Sequence, residues 1–239
     1  RRVLFRSLSA HDFDAWPADL AARARDMRQT GAGTIKIAAM PSRLTETLTL
    51  LDIAREGDAV VLGMGDHGVA TRLLATRFGS RWTYGGNAVA PGQVAPARMV
   101  SEFRFRDIGR DTAIYGVVGG NALHSLSPAM HNAAFRAAGM NAVYVPFKPA
   151  DFQDFVTFAE QLGVAGASVT IPYKRDALGA SSPDAVTKRI GAANTLKRTA
   201  TGWCSTNTDV EGFLEPLERE LAGEGAKVGG ATVQGMRSE

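Results

Sequence analysis

TIKIAAMPSRLTETLTLLDIAREGDAVVLGM, Thr34 to Met64, decides how this chain of 239 residues folds. Its two apolar runs, TIKIAAM (Thr34 to Met40) and DAVVLGM (Asp58 to Met64), are short and bounded by glycine or turn residues, which reads as strands buried on both faces. Between them RLTETLTLLDIAREG repeats apolar residues at helical spacing. Strand, helix, strand in immediate succession argues for parallel strands joined by a crossover helix. Upstream, WPADLAARARDMRQTG carries the same helical spacing, with Gly31 and Gly33 near its stop.

The pattern ends in MVSEFRFRDIGRDT, where a helix runs into a charged stretch, and then resumes in a different form. AIYGVVGG and AVYVPF read as strands around a helix begun by HSLSPAMHNAAF, and GASVTIPYK as a third strand running into a turn. NTLKRTATGWCSTNTD reads as two strands about a short glycine-containing turn, followed by the helix EGFLEPLERELAGEG. The tail AKVGGATVQGM looks like a strand beginning a glycine turn. The chain thus divides into segments 8–105 and 112–222, with a linker at 106–111 and the start of a further domain at 223–236. No internal repeat or low-complexity tract interrupts it.

The ends ask for separate treatment. RRVLFRS, Arg1 to Ser7, is what AGA CGT GTG CTC TTC CGA TCT encodes, a string that looks like a common sequencing adapter, and Arg237-Ser238-Glu239 is what AGA TCG GAA encodes. Residues 1–7 and 237–239 are therefore expected to be foreign, and residues 8–236 an interior piece of a longer gene that is inactive by itself. Without Arg1, Arg2, Arg6, Arg237 and Glu239 the formal charge falls from +3 to zero. The sequence pI of 9.2 then carries no argument for a nucleic acid or an anionic membrane, and the partner expected is a small molecule. At 45% hydrophobic residues the chain can bury a substantial core, and no apolar run approaches a membrane span. The lone Cys204 excludes an internal disulfide framework, makes a structural metal site unexpected, and fits a reducing cytoplasm.

Several side chains invite chemistry. Lys36 lies within an apolar strand, where desolvation disfavours the ammonium and leaves a neutral amine able to attack a carbonyl; a strand-end lysine reaching solvent is the plain alternative. His11, in SAHDF, is either a general acid and base or a loop histidine. Arg72 closes MGDHGVATR, where glycines let backbone approach a ligand and a guanidinium can grip a carboxylate; a solvated helix arginine is the default. In HSLSPAMHNAAF, Ser127 before Pro128 suits a helix N-cap, which leaves Ser125 idle, whereas two hydroxyls beside free helix N–H groups would seat a carboxylate.

In order, SAHDF, IKIAAMP, MGDHGVATR and APGQ resemble the second half of a type I dehydroquinase, a Schiff-base (β/α)8-barrel family, over about residues 8–105. The resemblance implies that Lys36 forms the imine with 3-dehydroquinate, that His11 shuttles protons, that Arg72 binds the substrate carboxylate and that Gln93 closes over the substrate, with no cofactor. Thr71 stands where the family has serine, and Val89 replaces the serine before APGQ.

GVVGGNALHSLSPAMHNAAF, ASVTIPYK, GAANT and NTDVEGF resemble the substrate domain of shikimate dehydrogenase, over about residues 112–236. By that resemblance Ser125 and Ser127 bind the shikimate carboxylate, Thr170 and Asn194 contact ring hydroxyls, and Lys174 and Asp209 form the catalytic pair, whose plain alternative is a surface ion pair. Gly120-Asn121-Ala122 lacks the family's proline. Gly235 would be the first glycine of the NADP fingerprint, with Gln234 and Met236 atypical beside it. The fold expected is thus α/β, the C-terminal half of a (β/α)8 barrel followed by a three-layer α/β substrate-binding domain. The function expected is that of a bifunctional 3-dehydroquinate dehydratase and shikimate dehydrogenase, the first making the 3-dehydroshikimate that the second reduces. The alternatives are a quinate-sensing regulator on the same domains and a quinate dehydrogenase; Lys36, His11, Lys174 and Asp209 together weigh against the sensor.

Overall fold

A computed structural model describes residues 7–87 and 90–223. The stretch from Thr34 to Met64 forms the middle of a three-stranded parallel sheet, β1 (Ser7–Asp12), β2 (Thr34–Ala39) and β3 (Ala59–Gly63) in that order, with α1 (Leu20–Gln29) and α2 (Thr47–Arg55) as crossovers. β1 takes in Ser7, the last residue of the adapter-like run, through backbone pairing with Thr34 that any side chain permits. Alternation sorts the two faces. Ile35, Ile37, Ala39, Ala59 and Val61 join the main core beside helix residues such as Leu20, Leu50 and Leu51. Ala38 and Leu62 lie on the other face in a small cluster with Met64, and register puts His11 and Lys36 on that same face. Among the described residues the sheet does not close into a barrel.

After α3 (Val69–Leu73) and α4 (Pro96–Ser101) the chain builds a six-stranded mixed sheet from β4 (Ala113–Val118), β5 (Ala142–Phe147), β6 (Val164–Val169), β7 (Ser182–Pro183), β8 (Thr195–Thr199) and β9 (Gly202–Thr206). The spatial order is β5-β4-β6-β8-β9-β7, with β8 antiparallel to both β6 and β9 and the other pairs parallel. Helices α5 (Ser127–Ala137), α6 (Phe152–Leu162), α7 (Lys174–Gly179), α8 (Ala185–Ile190) and α9 (Asp209–Gly223) follow in turn. One face of β4 and β5 sends Ile114, Val118, Val143, Val145 and Phe147 against Phe155 and Phe158 of α6. The opposite face packs Val117 and Tyr144 with Phe135 of α5, so helices cover the sheet on both sides. Gly116 makes this possible: a side-chain carbon there would lie 2.4 Å from the Phe147 ring. β7 and α8 carry no periodic signal in the sequence; α8 rests on Asp184, whose carboxylate accepts from Thr187 N at 2.7 Å. No helix among the described residues is long and apolar enough to cross a membrane.

The two sheets belong to one body. A contiguous buried cluster runs from Leu20 to Trp203, and Ile108, inside the expected linker, is part of it. Polar contacts reinforce the join. Asp154, in the first turn of α6, is buried, and its carboxylate accepts from Leu44 N (2.8 Å), Thr45 N (3.0 Å), Thr45 Oγ1 (2.8 Å) and Ala150 N (3.0 Å). Arg43 of the same loop pairs with Asp151 at 3.0 Å.

Asp154→Ala would leave the buried Leu44 N–H without its acceptor, a cost of about 2–3 kcal/mol together with the lost contacts at Thr45 and Ala150. Urea unfolding should show that loss, and a change under about 0.5 kcal/mol would mean that water replaces the carboxylate at no cost.

Candidate functional site

The reversal of β8 brings three chain ends together. β6 leaves the sheet where β8 enters it, because the pair is antiparallel, and β9 leaves at that same end. Thr170 and Lys174 follow β6, Asn194 precedes β8 and Asp209 follows β9, so residues far apart in sequence line one cavity of about 400 Å³. Ser125 and Ser127, at the start of α5, complete its wall.

Lys174 opens α7 and Asp209 opens α9; the ammonium Nζ donates to Asp209 Oδ2 at 2.5 Å. Asn194 is buried and donates from Nδ2 to Asp209 Oδ1 at 2.8 Å and to Thr208 Oγ1 at 3.0 Å, while its Oδ1 accepts from Thr208 N at 3.0 Å. The Lys174 hydrogen bond holds the Asp209 carboxyl below the usual carboxylate range; partial burial opposes this and the Asn194 bond adds to it. The side chains of the pair are 33% and 57% exposed, so its contribution to stability is small and its position in the cavity is its distinguishing property. Thr208, which stands inside NTDVEGF without a role in the sequence analysis, fixes Asn194 from both ends.

The serines divide their work differently from the sequence reading. The helix starts one residue earlier than expected: Ser127 is already helical and Leu126 occupies the cap position. Ser125 Oγ accepts from Ser127 N at 3.1 Å and so supplies the capping contact expected of Ser127. The reason is the turn at Ala122–His124, which delivers Ser125 in extended conformation beneath the first free N–H. Among the described residues the Ser127 hydroxyl has no protein partner, and Pro128 behind it is buried.

On the three-stranded sheet, Lys36 is half-buried, and its ammonium lies 4.4 Å from the centre of the Tyr84 ring. His11 shares that face, is exposed and leans on the Phe13 ring at 5.7 Å; no hydrogen bond joins it to Lys36 among the described residues. Arg72 is not the solvated helix arginine of the default reading: it is 2% exposed. Its Nη1 and Nη2 donate to Tyr84 O and Pro91 O, each at 3.3 Å, and its Nε is buried with no partner among the described residues. Burial lowers its pKa, yet a guanidinium remains charged at neutral pH, and a carboxylate is the ligand that its fork fits. Thr71 pins the turn: its Oγ1 accepts from Gly63 N at 2.8 Å and donates to Gly68 O at 2.7 Å. Gly63 and Gly68 touch so closely that a side-chain carbon on Gly68 would lie 2.2 Å from Gly63. Gln93 folds into its own loop, accepting from Ala90 N at 3.1 Å. Tyr84, which joins Lys36 through its ring and Arg72 through its carbonyl, has no signal in motif or spacing. Val89 and Gly235 lie outside the described residues.

Residues 8–110 match the family model of type I 3-dehydroquinase, and residues 117–196 that of the shikimate dehydrogenase substrate binding domain. The chain is 33% identical to the chloroplastic bifunctional 3-dehydroquinate dehydratase/shikimate dehydrogenase of Arabidopsis thaliana, over 91% of this chain and 38% of that protein. It is 46% identical to the NADP(+) shikimate dehydrogenase of Gloeothece citriformis, over 45% of this chain and 38% of the relative. A crystal structure of shikimate dehydrogenase from Aquifex aeolicus aligns at a TM-score of 0.45 and 37% identity, covering 47% of this chain and 43% of that one. The chain therefore spans less than two fifths of the length of these two curated relatives.

Because Lys174 is the leading cause of the Asp209 shift, Lys174→Ala should move the Asp209 carboxyl titration upward, as read by carbon-13 NMR. A folded value below the unfolded one means that the stabilising contribution is present at neutral pH and is lost as pH falls through the folded value. Asp209→Asn should lose that acid-limb component of unfolding, and an unmoved titration in Lys174→Ala would remove the ion pair as its cause.

Proposed function

We propose that this chain carries the substrate-handling residues of a bifunctional shikimate-pathway enzyme. Residues 8–105 are read as the C-terminal half of a (β/α)8 barrel of the 3-dehydroquinate dehydratase kind, and residues 112–222 as the substrate domain of a shikimate dehydrogenase, acting in the cytoplasm. The observation that carries the reading is that Lys174 and Asp209, 35 positions apart, meet in the one cavity that also holds Ser125, Ser127, Thr170 and Asn194.

In the dehydratase step the Lys36 amine adds to the carbonyl of 3-dehydroquinate and, with uptake of one proton, expels water to give a protonated iminium. That cation draws electrons from the neighbouring carbon, so His11 can take its proton and then deliver a proton to the departing hydroxyl. Arg72 holds the carboxylate, Gln93 covers the ring, and hydrolysis of the imine frees 3-dehydroshikimate and returns Lys36. No cofactor enters this step. In the second step NADPH, when bound, supplies the hydride; Gly235, the glycine assigned to it, lies outside the described residues. The residues of this chain handle orientation and the proton. Ser125 and Ser127 take the carboxylate at the helix N-terminus, Thr170 and Asn194 take ring hydroxyls, Asp209 aligns the reacting oxygen, and Lys174 exchanges its proton.

Shikimate should bind this chain by titration calorimetry, and Ser127→Ala should weaken it about tenfold, the worth of a hydrogen bond to a carboxylate. In a protein joining this chain to its nucleotide-binding half, Lys174→Ala should lower kcat by about a hundredfold with little change in KM. In a complete barrel, borohydride with 3-dehydroquinate should label the peptide containing Lys36. Shikimate affinity unaffected by Ser127→Ala, or labelling of another lysine, would refute the corresponding assignment.

A further inference from the structure

Lys148, the residue after β5, belongs to the six-stranded sheet, yet both of its polar ends are held by the loop after β3. Its Nζ pairs with Asp66 Oδ2 at 2.5 Å, and its carbonyl oxygen accepts from His67 Nδ1 at 2.7 Å. Asp66 and His67 follow Gly65, which is bent at φ +65°. Against Gly65 rests the turn Pro91-Gly92-Gln93: a side-chain carbon on Gly92 would lie 2.4 Å from Gly65 O and 3.0 Å from its N. The carbonyl of Pro91 in that turn accepts from Arg72 Nη2, and Gln93 closes the turn on Ala90 N. An unbroken set of contacts thus runs from Lys148 through Asp66 and His67 to Gly65, and from Gly65 to the turn that carries Gln93 and braces Arg72.

We infer that Lys148 is a positioning residue for the dehydroquinase-type site, so that docking of the shikimate dehydrogenase-type module fixes the Gln93 turn and the Arg72 guanidinium of its neighbour. The inference rests on the reading of Lys36, Arg72 and Gln93 given above. Position matters there because a substrate held by its carboxylate must present its carbonyl to Lys36 within a narrow range of distance and angle. The Arg43–Asp151 pair spans the same interface at 3.0 Å, but it springs from the loop after β2, not from the loop after β3 that holds Lys148. It therefore distinguishes general loosening of the interface from the specific linkage. Both partners of the Lys148–Asp66 pair are partly exposed, so their substitution leaves the core intact.

Amide hydrogen exchange on the chain decides the linkage. Lys148→Ala should speed exchange about threefold at Gly65–Gly68 and at Ala90–Val94, the size that a partly exposed ion pair supports. β4, β5 and β6 should keep the parent's rates. Lys148→Asp should exchange faster still, and Lys148→Asp combined with Asp66→Lys should return towards the parent. Arg43→Ala should leave Ala90–Val94 unchanged. Unaltered exchange at Ala90–Val94 in Lys148→Ala, or an equal response to Arg43→Ala, would overturn the inference. In a complete barrel, borohydride trapping should need several-fold more 3-dehydroquinate for half-saturation in Lys148→Ala, with the same limiting extent of label; an unchanged half-saturation would count against it. A parent protein in which Lys36 takes no label would sink the dehydratase reading, while the exchange rates would still settle whether Lys148 holds the turn.

Discussion

The carboxylate of Asp154 answers four donors at once, and two of its three donor residues, Leu44 and Thr45, come from a part of the chain more than a hundred positions away. A buried anion can be tolerated only where hydrogen bonds replace its lost hydration, so the loop after β2 has to meet the first turn of α6 in one arrangement. α6 is itself fixed, since Phe155 and Phe158 pack their rings against Phe147 of β5 at 5.8 and 5.7 Å. The three-stranded sheet therefore takes its alignment from the core of the six-stranded one. Further cross-contacts, among them Arg43 with Asp151 and Lys148 with Asp66, sit on loops whose placement the carboxylate helps to set.

The two candidate sites are assembled on different principles. Around Lys174 the pieces are chain ends brought to one edge by a reversal of strand direction, and Asn194 has both amide donors engaged within the protein. Around Lys36 the pieces stand on one face of a parallel sheet and on the glycine-rich loop after β3, and Arg72 keeps a buried Nε without a partner among the described residues. The first arrangement holds its charges against each other, whereas the second holds the Arg72 guanidinium against backbone carbonyls and the Lys36 ammonium against the Tyr84 ring.

Much of the fold could be read directly. AVYVPF is strand β5 residue for residue, and the hairpin in NTLKRTATGWCSTNTD falls about its glycine, because short apolar runs and turn residues are local signals. β7 and α8 escaped since each is brief and depends on a tertiary partner, β7 on β9 and α8 on the Asp184 cap. The site residues show the same divide. The resemblance to shikimate dehydrogenase paired Lys174 with Asp209, but the capping exchange between Ser125 and Ser127 depends on the turn before them, and the burial of Arg72 depends on the Tyr84 and Pro91 carbonyls. Spacing along a chain cannot report which carbonyls will face a guanidinium.

The β8–β9 hairpin has two ends with opposite tolerance to change in length. Its turn, Thr199 to Gly202, lies at the far end from the cavity, with the Thr199 hydroxyl closing it on Gly202 O and Gly202 at φ +128°. Residues added there lengthen a loop and leave the pairing of Thr195 with Thr206 untouched. A single residue gained or lost inside β9 shifts that pairing by one step of about 3.3 Å and turns every side chain of the strand to the opposite face. Asp209 would then leave Lys174 even though no residue of the cavity had changed. Insertions in descendants of this chain are accordingly expected at the turn and barred from the strands, so the length of β9 determines whether Asp209 meets Lys174 as much as the identity of either residue does.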